Sequence, residues 1–371
     1  MTVAQNDALE TLDLRRGSHL SSKETLNHPE LMKHLSGKDP FEETERAYLT
    51  SIERLGIDLV TESPSPWWKV MERPNLPLKP GETIYKVMPD VYHKKPIKQG
   101  LAYAGVHPTV FPVEYPFKDE EEVLNYDPSE LMPESVEELA ERNEKQYQKM
   151  LGKLNGRAEP YGFYYTTLFM WPVMVFGWEL FLAPAVTQED RFDRVLERFF
   201  QLSVKRTQAL ARTSMKVVIL HDDLTFNNGP VLAPDWYEQH IFPRYPDIFK
   251  PLLDSGKKVI FCSDGKLDVF LERLVELGAD GFMPETPATD LNKLLEIGKN
   301  KVIIGGIDTG ILTRGCPEEV LAHTRGILQK TRDLPGFFIS SPGGLYGNIP
   351  LENLRAYFQA RSEFGGPPVD W

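Results

Sequence analysis

Three side chains of types that bind metal ions follow two short apolar segments, residues 258–261 and 281–283. Cys262 and Asp264 come directly after the first segment with one residue between them, and Glu285 follows the second. Residues two apart in an extended chain lie on the same side of it, and neighbouring strand ends would place Glu285 beside that pair. Zinc accepts cysteine sulfur and carboxylate oxygen, and a catalytic zinc has three protein ligands and one open position. We therefore predict a metal site formed by Cys262, Asp264 and Glu285.

Each of these residues also has an ordinary structural alternative. Cys262 could be structural, because a free cysteine is commonly buried as a small apolar side chain. Asp264 precedes Gly265, a pattern typical of a turn or a helix cap. Glu285 follows Pro284 and could be a surface charge. Their shared position at two neighbouring strand ends favours the metal site over three separate explanations.

A second polar group, His221-Asp222-Asp223, follows the apolar segment 217–220. A histidine and carboxylates at a strand end can exchange a proton, orient a substrate or bind a metal ion. We predict His221 and Asp222 as catalytic residues. The alternative is that at least one of the aspartates is structural, because nearby backbone amides and helix N-termini need acceptors.

The most aromatic part of the chain, residues 161–181, precedes these groups. Most of its side chains are expected in the core, but four come just before a predicted strand-to-helix turn, where they could face a flat apolar substrate. Polar and aromatic residues of later loops could contact substituents of the ring or form the pocket rim. The predicted substrate-binding set is Tyr164, Tyr165, Phe169, Trp171, Asn227, Asn228, Asp308 and Tyr346.

The elements that must position these residues are short apolar runs alternating with helical patterns. Four such runs are residues 217–220, 258–261, 280–283 and 302–306. Unbroken apolar runs are typical of strands buried on both faces, and strands that alternate with helices form parallel sheets. Polar residues at the ends of such strands are expected in a (β/α)8 TIM barrel, whose chemistry lies at the C-terminal ends of its strands. The sequence therefore predicts an α/β fold with a TIM barrel.

The first part of the chain departs from this pattern. Residues 1–40 are polar without a sustained period, and we expect them to drape over the surface. Residues 41–57 show the three- and four-residue spacing of an amphipathic helix. We predict an N-terminal, mainly helical extension over one mouth of the barrel, residues 1–80, followed by the barrel itself, residues 81–371.

A proline- and aromatic-rich region spans residues 63–117. Its prolines exclude a long helix, and it does not repeat the strand–helix pattern. Residues 81–87 and 102–108 are predicted to pair as strands. We expect this region to cover one mouth of the barrel.

Composition limits the partners of the protein. The chain has 371 residues and a formal net charge of −12, whereas nucleic acids and anionic membranes both select basic patches. No apolar run approaches the roughly 18–20 residues of a membrane span, and the N-terminus does not resemble a signal peptide. Two cysteines are too few for a disulfide scaffold. We predict a cytoplasmic protein without nucleic-acid or membrane partners.

Several short motifs follow one another in a characteristic order. They are His221-Asp222-Asp223 at a strand end, a Gly-Pro loop at residues 229–237, Pro243-Arg244-Tyr245, the segment 259–265, Gly306-Ile307-Asp308 and residues 349–353. Each motif is weak alone, but their order is specific and resembles the uroporphyrinogen decarboxylase superfamily. The resemblance covers about residues 115–365 and implies a TIM barrel.

Within the superfamily, the chain lacks the Arg-Gln-Ala-Gly-Arg string of the porphyrinogen decarboxylases and is more similar to the corrinoid-dependent methyltransferases. Those enzymes hold zinc with a His-x-Cys motif and a later cysteine. Here the corresponding positions are Cys262-Ser263-Asp264 and Ser340-Ser341-Pro342. A set of Cys262, Asp264 and Glu285 is harder and more anionic, which suits activation of an ether oxygen.

The resemblance therefore implies an enzyme, a zinc-dependent methyltransferase of the O-demethylase type. It would move a methyl group from a methoxylated, aromatic substrate to the Co(I) of a corrinoid. Corrinoid proteins of the usual type carry an Asp-x-His-x-x-Gly loop, which is absent from this sequence. The corrinoid is therefore expected on a partner protein that docks over the barrel mouth. The resemblance is also compatible with a homodimer.

Two alternatives remain open. One is a metal-free decarboxylase that acts on a carboxylated ring, with His221 or Asp222 protonating the product carbon. The other is a non-catalytic tetrapyrrole-binding barrel, for which an altered ligand set is expected. The zinc content of the purified protein distinguishes the methyltransferase from both.

Overall fold

The apolar runs predicted as strands form a parallel sheet that curls into a barrel in the computed structural model of this chain, which describes residues 3–61, 82–90, 92–104 and 107–371. In chain order the described strands are β1 (Leu26–Asn27), β2 (Leu59–Thr61), β3 (Thr83–Pro89), β4 (Pro96–Ala104), β5 (His107–Pro112), β6 (Glu159–Tyr165), β7 (Val217–His221), β8 (Thr225–Phe226), β9 (Gly229–Pro230), β10 (Lys258–Ser263), β11 (Gly281–Pro284), β12 (Val302–Gly306), β13 (Phe337–Ser340) and β14 (Leu345–Tyr346). The described helices are α1 (Val3–Leu12), α2 (Pro29–Ser36), α3 (Thr44–Leu55), α4 (Glu120–Leu124), α5 (Val136–Leu154), α6 (Met170–Phe176), α7 (Trp178–Thr187), α8 (Glu189–Ala211), α9 (Pro234–His240), α10 (Tyr245–Asp254), α11 (Leu271–Glu276), α12 (Leu291–Ile297), α13 (Thr309–Arg314), α14 (Pro317–Thr331) and α15 (Leu351–Glu363).

Seven strands lie side by side in the order β13-β12-β11-β10-β7-β6-β2, and all neighbours are parallel. A short extended segment fills the remaining gap: Ser22 pairs with Ile339 of β13, and Lys23 pairs with Leu59 of β2. The Lys23 amide donates to the Ile339 carbonyl oxygen at 3.1 Å. Eight extended segments thus close into a (β/α)8 barrel, and the predicted fold class is confirmed.

Side chains from alternate positions of these strands fill the barrel interior, together with α1. Val217 and Ile219 are fully buried there, and each such side chain contributes about 1.5–3 kcal/mol. Ala8 and Leu12 of α1 belong to the same cluster. Lys258, the first residue of β10, lies 3.3 Å from the Asp13 carboxylate just after α1. Helix α1 therefore closes the N-terminal end of the barrel.

Residues 3–61 are part of the barrel instead of an arm on its surface. Ser22 and Lys23 are buried despite their polarity because they pair between β13 and β2. This corrects the expectation for residues 1–40. Helix α3 confirms the helix predicted over residues 41–57. The predicted boundary at residues 80 and 81 falls among residues that are not described, but the paired barrel segments already begin at residue 22.

A three-stranded antiparallel sheet of β3, β4 and β5, called the flap from here on, follows residue 82. Strand β3 pairs with β4 from Thr83–Ala102 to Pro89–Pro96. The predicted partner segment of residues 102–108 overlaps this pairing only at Ala102, because its described remainder belongs to the end of β4 and the start of β5. Leu101 packs on the inner face, with Ile84 and Met88 beside it. The flap lies on the C-terminal side of the barrel, because its loop residue His93 contacts α6, which follows barrel strand β6. The described part of the region predicted to cover a mouth therefore lies on this side, whereas residues 63–81 of that prediction lie outside the described residues.

The aromatic segment of residues 161–181 folds into β6 and the bent helix pair α6–α7. The break lies at Gly177, whose φ of 79° is in the left-handed region that favours glycine. Within the described part of the chain, no single helix is both long and apolar enough to cross a membrane. This pair passes the length and composition test only in combination, across a bend of 119°.

Candidate functional site

The C-terminal ends of three neighbouring barrel strands meet at one level of the mouth. Tyr165 of β6 pairs with His221 of β7, and His221 pairs with Cys262 of β10. Cys262 faces the barrel interior, and the parallel register places His221 and Tyr165 on that same inner side. Because side chains alternate along an extended chain, Asp223 and Asp264 continue these inner rows toward the opening.

His221, Asp223 and Asp264 form a compact group of metal-binding side chains. One donor atom from each lies within 4.8 Å of the other two. His221 Nε2 and Asp223 Oδ1 are 2.7 Å apart, and the Asp264 amide donates to the same oxygen at 2.7 Å. His221 Nδ1 is buried and has no hydrogen-bond partner among the described residues. One nitrogen and two carboxylates suit zinc, which accepts both donor types.

The charges of this group are strongly coupled. Burial would lower the pKa of His221, but the charge of Asp223 and the neighbouring Cys262 outweigh it, and the pKa lies well above its ordinary value. The His221 charge lowers the pKa of Asp223 in return, against the effect of burial. Burial and the charges of Asp223 and Glu285 raise the pKa of Asp264 to about 7. Residue Asp264 is nevertheless exposed at the mouth. A cation bound here would stabilise both carboxylates in their charged form.

The predicted ligands Cys262 and Glu285 lie next to this group but outside it. Cys262 is 2% exposed and lies beside His221 on the neighbouring strand, where burial raises the pKa of its thiol. Glu285 Oε2 accepts a hydrogen bond from the Gly265 amide at 3.0 Å. Of the three predicted ligands, Asp264 alone belongs to the compact group, and the structure brings His221 and Asp223 to it instead.

Asp222, predicted as catalytic, points away from this group. Its carboxylate is fully buried and accepts hydrogen bonds from the backbone amides of Leu168, Phe169 and Met170 at 2.7–2.8 Å. The Tyr245 hydroxyl donates a further one at 2.8 Å. Since these partners occupy both oxygens, the geometry gives Asp222 the role of ordering the loop after β6, which corrects the expectation of a catalytic role.

Tyr165 forms an aromatic wall beside His221. The two rings meet edge to face with centroids 4.5 Å apart, and the Tyr165 side chain is 38% exposed at the mouth. Phe163, two residues earlier on β6, lies 5.8 Å from the His221 ring. Burial and the neighbouring carboxylates raise the pKa of Tyr165 above its ordinary value, so its hydroxyl remains a hydrogen-bond donor.

The other three aromatic residues predicted within residues 161–181 are buried outside the barrel mouth. Tyr164 alternates outward from β6, and the Arg206 guanidinium lies 3.8 Å from its ring centre. Trp171 packs on Tyr164. Phe169 packs on Phe181 in the layer between the sheet and the helices. The period of two along β6 explains why Tyr165 faces the site and Tyr164 does not.

The remaining predicted residues divide between the mouth and its periphery. Tyr346 lies at the mouth, where burial and the charges of Tyr161 and Asp264 raise its pKa to about 12. Asn227 and Asn228 are exposed in the turn between β8 and β9. Asp308 caps α13 through the Gly310 amide at 2.7 Å and lines a separate cavity of about 760 Å³ between α12 and α14.

Asp223 belongs to the polar group noted in the sequence, but only His221 and Asp222 of that group were predicted as catalytic. A usable signal for Asp223 was present, because it is two residues after His221 and therefore on the same side of the strand.

Comparison with known proteins agrees with this architecture. The family model described as "Uroporphyrinogen decarboxylase (URO-D)" matches residues 148–364. A solved structure, a methyltransferase from Methanosarcina mazei, is 17% identical with a TM-score of 0.66, and the alignment covers 98% of this chain and 99% of that one. A search of curated protein sequences finds no match.

Two sugar epimerases are similar over part of the chain. The 3-keto-D-glucoside 4-epimerase YcjR from E. coli is 11% identical with a TM-score of 0.38, over 62% of this chain and 86% of that one. A D-psicose 3-epimerase is 10% identical with a TM-score of 0.37, over 66% and 86%.

Proposed function

This chain belongs to the uroporphyrinogen decarboxylase family, and we propose that it is a methyltransferase within that family. It takes a methyl group from a methoxylated aromatic substrate and transfers it to the Co(I) of a corrinoid carried by a partner protein. The order of the sequence motifs supports this proposal. So does the likeness in fold, over nearly the whole chain, to a solved structure whose title is that of a methyltransferase.

The observation that carries the proposal is the convergence of His221, Asp223 and Asp264 at the C-terminal mouth. One nitrogen and two carboxylates, with His221 Nε2 as the nitrogen that faces Asp223, fit a divalent cation such as zinc. When bound, zinc supplies a Lewis acid that stabilises negative charge on a leaving oxygen. Cys262, beside His221, and Glu285, bonded to the Gly265 amide, border this group.

The chain's own aromatic residues bind and orient the substrate. Tyr165 stands edge-on to His221, so a flat ring held against it would have its ether oxygen near the carboxylates. Tyr165 and Tyr346 both have raised pKa values and stay neutral at physiological pH. The Tyr165 hydroxyl therefore donates a hydrogen bond without repelling a substrate oxygen. Asp222 keeps this wall in place by ordering the loop that follows Tyr165.

The bond changes of the proposed reaction balance as a simple displacement. The methyl carbon exchanges its bond to the ether oxygen for a bond to cobalt, and the electron pair of the new bond comes from Co(I). The pair of the broken bond stays on the oxygen, which leaves as a phenolate. Protein side chains need not form a covalent intermediate, and binding and orientation account for their role.

The test combines metal analysis with methyl transfer. Purified wild-type protein is expected to hold about one zinc ion per chain, and His221→Ala and Asp264→Asn should lower this content. Asp235→Asn, a change in an exposed carboxylate of α9, serves as the matched control. Incubation with methoxylated aromatics and cob(I)alamin should give the absorption spectrum of methylcobalamin.

Each contrary result points to a different conclusion. Methyl transfer by metal-free protein contradicts the role of zinc. Metal-free release of carbon dioxide from a carboxylated ring supports a decarboxylase. Binding of a tetrapyrrole without turnover of any substrate supports a non-catalytic barrel.

A further inference from the structure

The cavity of about 760 Å³ between α12 and α14 is distinct from the barrel mouth. Its walls come from α14 and from the segments that follow β10, β11 and β12. Among the described residues that line it, none belongs to the group of His221, Asp223 and Asp264. Ligand sites in proteins have about this volume, so the cavity can hold a small molecule of its own.

Three lysines of the cavity wall, Lys266, Lys293 and Lys330, are exposed. Within the described part of the chain, none of their ammonium groups forms an ion pair. Lys293 Nζ has a weak contact of 3.5 Å with the Asp268 carbonyl oxygen. The chain as a whole has a net charge of −12, so three unpaired ammonium groups around one cleft are a local exception that attracts an anion.

Two carboxylates of the cavity wall are occupied by helix N-termini. Asp290 Oδ1 accepts a hydrogen bond from the Asn292 amide at 2.9 Å, and Asp308 Oδ1 accepts one from the Gly310 amide at 2.7 Å. These amides stabilise the charge of the two carboxylates. Asp290 and Asp308 therefore serve as helix caps and leave the lysines without partners.

Asp268 adds a buried acceptor that has no donor. The residue is 9% exposed and lines the cavity. Its Oδ1 accepts a hydrogen bond from the Asp290 amide at 3.1 Å, whereas its Oδ2 is buried without a hydrogen-bond partner among the described residues. Such an oxygen is unfavourable unless a donor reaches it. A ligand hydroxyl in the cavity can supply this donor, whereas a ligand ammonium would be repelled by the lysines.

His323 provides a neutral donor on the α14 side of the cavity. Its Nε2 accepts a hydrogen bond from the Asp308 amide at 3.0 Å, so the neutral ring carries its proton on Nδ1. Burial lowers the pKa of His323; the charge of Asp308 opposes this effect and that of Lys330 adds to it. The ring is therefore neutral at physiological pH, and Nδ1 can donate a hydrogen bond to an oxygen atom.

We propose that this cavity binds a phosphate monoester that carries hydroxyl groups, of which sugar phosphates are the common class. The lysines hold the phosphate, and Asp268 Oδ2 accepts a hydrogen bond from a hydroxyl. A phosphate dianion suits the cavity better than a carboxylate, because its oxygens can be shared among several ammonium groups. The site lies apart from the candidate metal group, so it does not depend on the proposed function.

The test compares four probes on the full-length protein: glucose 6-phosphate, glucose, inorganic phosphate and gluconate. Their dissociation constants are measured by calorimetry. Wild type should bind glucose 6-phosphate about tenfold or more tightly than each of the others, because it alone presents both a phosphate and hydroxyl groups. Gluconate has the hydroxyl groups with a carboxylate and tests the preference for phosphate.

Variants separate the two kinds of contact. Asp268→Asn keeps the acceptor for the Asp290 amide but replaces Oδ2 with a donor, so it should weaken glucose 6-phosphate binding about tenfold without weakening inorganic phosphate binding. Lys293→Gln and Lys330→Gln should each weaken the binding of both phosphates about threefold. Lys299→Gln, which removes an exposed lysine outside the cavity wall, is the matched control and should bind like wild type.

His221→Ala tests whether the anion binds at the mouth instead, and it should bind glucose 6-phosphate like wild type. Loss of binding in this variant overturns the proposal. So does glucose 6-phosphate that binds no more tightly than glucose, or tighter binding of gluconate. Because Asp268 is buried, the melting temperature of Asp268→Asn is measured as well. The exposed variants Lys293→Gln and Lys330→Gln test the cavity independently of folding, and unchanged binding in both overturns it.

Discussion

At the scale of single residues, the adjacent aspartates 222 and 223 have opposite roles. Asp223 faces the barrel interior with His221, whereas Asp222 faces outward and binds three backbone amides of the loop after β6. Burial raises the pKa of Asp222 to about 6, and its donors act against that shift. It is therefore mainly ionised at neutral pH. The alternation of a strand is sufficient to divide the two roles.

Substitution of each aspartate by alanine should reveal this division. Asp222→Ala leaves three buried amide donors without an acceptor and is expected to lower the free energy of unfolding by about 3–5 kcal/mol. Asp223→Ala should cost less than half as much but lower zinc affinity by about tenfold or more. Urea unfolding and zinc titration measure the two effects. The separate roles would be contradicted if both variants lost the same free energy of unfolding, or if only Asp222→Ala lost zinc affinity.

At the scale of elements, the flap is attached to the barrel mainly through its loop. It is a small antiparallel sheet with few core residues: Leu101 is buried, and Ile84, Met88 and Val110 pack beside it. Such a sheet has little stability of its own. The bonds of His93 to Asp90 and Val175 therefore carry much of its attachment.

His93→Gln should loosen the flap without unfolding the barrel. Glutamine cannot reproduce both ring contacts, and the loss of a buried hydrogen bond costs about 1–2 kcal/mol. Amide hydrogen exchange in β3 and β4 should then become about 5- to 30-fold faster, while exchange in β7 and β10 stays unchanged. Lys95→Gln, an exposed change in the same turn, is the control. Unchanged exchange in the flap would show that other contacts hold it.

At the scale of the whole molecule, the two ends of the chain complete the barrel together. The segment at Ser22 pairs with β13, and buried Arg361 of α15 donates to the Ser22 hydroxyl at 3.0 Å. His19 lies 2.5 Å from Asp7 and 2.7 Å from Asp58. These polar contacts are buried, so the closure of the barrel depends on their charges.

The charge of His19 should make stability depend on pH. Burial and the positive charge of Arg361 would lower the pKa of His19. The hydrogen bond to Asp58 and the negative charges of Asp58 and Asp7 outweigh both effects, so the pKa is raised. A raised histidine pKa contributes stability that is complete below the unfolded value of about 6.5 and is lost as pH rises through the folded value. The melting temperature of wild type should therefore fall as pH rises above about 6.5.

The variant His19→Gln isolates this effect, because glutamine retains a hydrogen-bond donor but does not titrate. Its melting temperature should fall less steeply than that of wild type over the same pH range. Parallel curves for the two proteins would assign the pH dependence to other groups, such as Glu24, whose pKa burial raises to about 7.

The sequence was sufficient to predict features that depend on residues close together in the chain. Unbroken apolar runs such as residues 217–220 predict strands buried on both faces, and those strands appear in the barrel. The same reasoning placed His221 and Asp264 at strand ends. It failed for Ser22 and Lys23. This polar segment becomes extended only because it pairs with β13 on one side and with β2 on the other. It also failed for Trp171, because a run of aromatic residues does not reveal which side of a layer each ring faces.

The sequence by itself determined the class of fold, the end of the barrel where polar side chains follow the strands and the types of side chain available there. These follow from hydrophobic periodicity and from the rule that parallel strands end at one edge. Only the tertiary structure decided that Asp223 joins His221 and Asp264 in one compact group, and that Ser22 and Lys23 close the barrel. Those outcomes depend on contacts between residues distant in the chain, which no local pattern encodes.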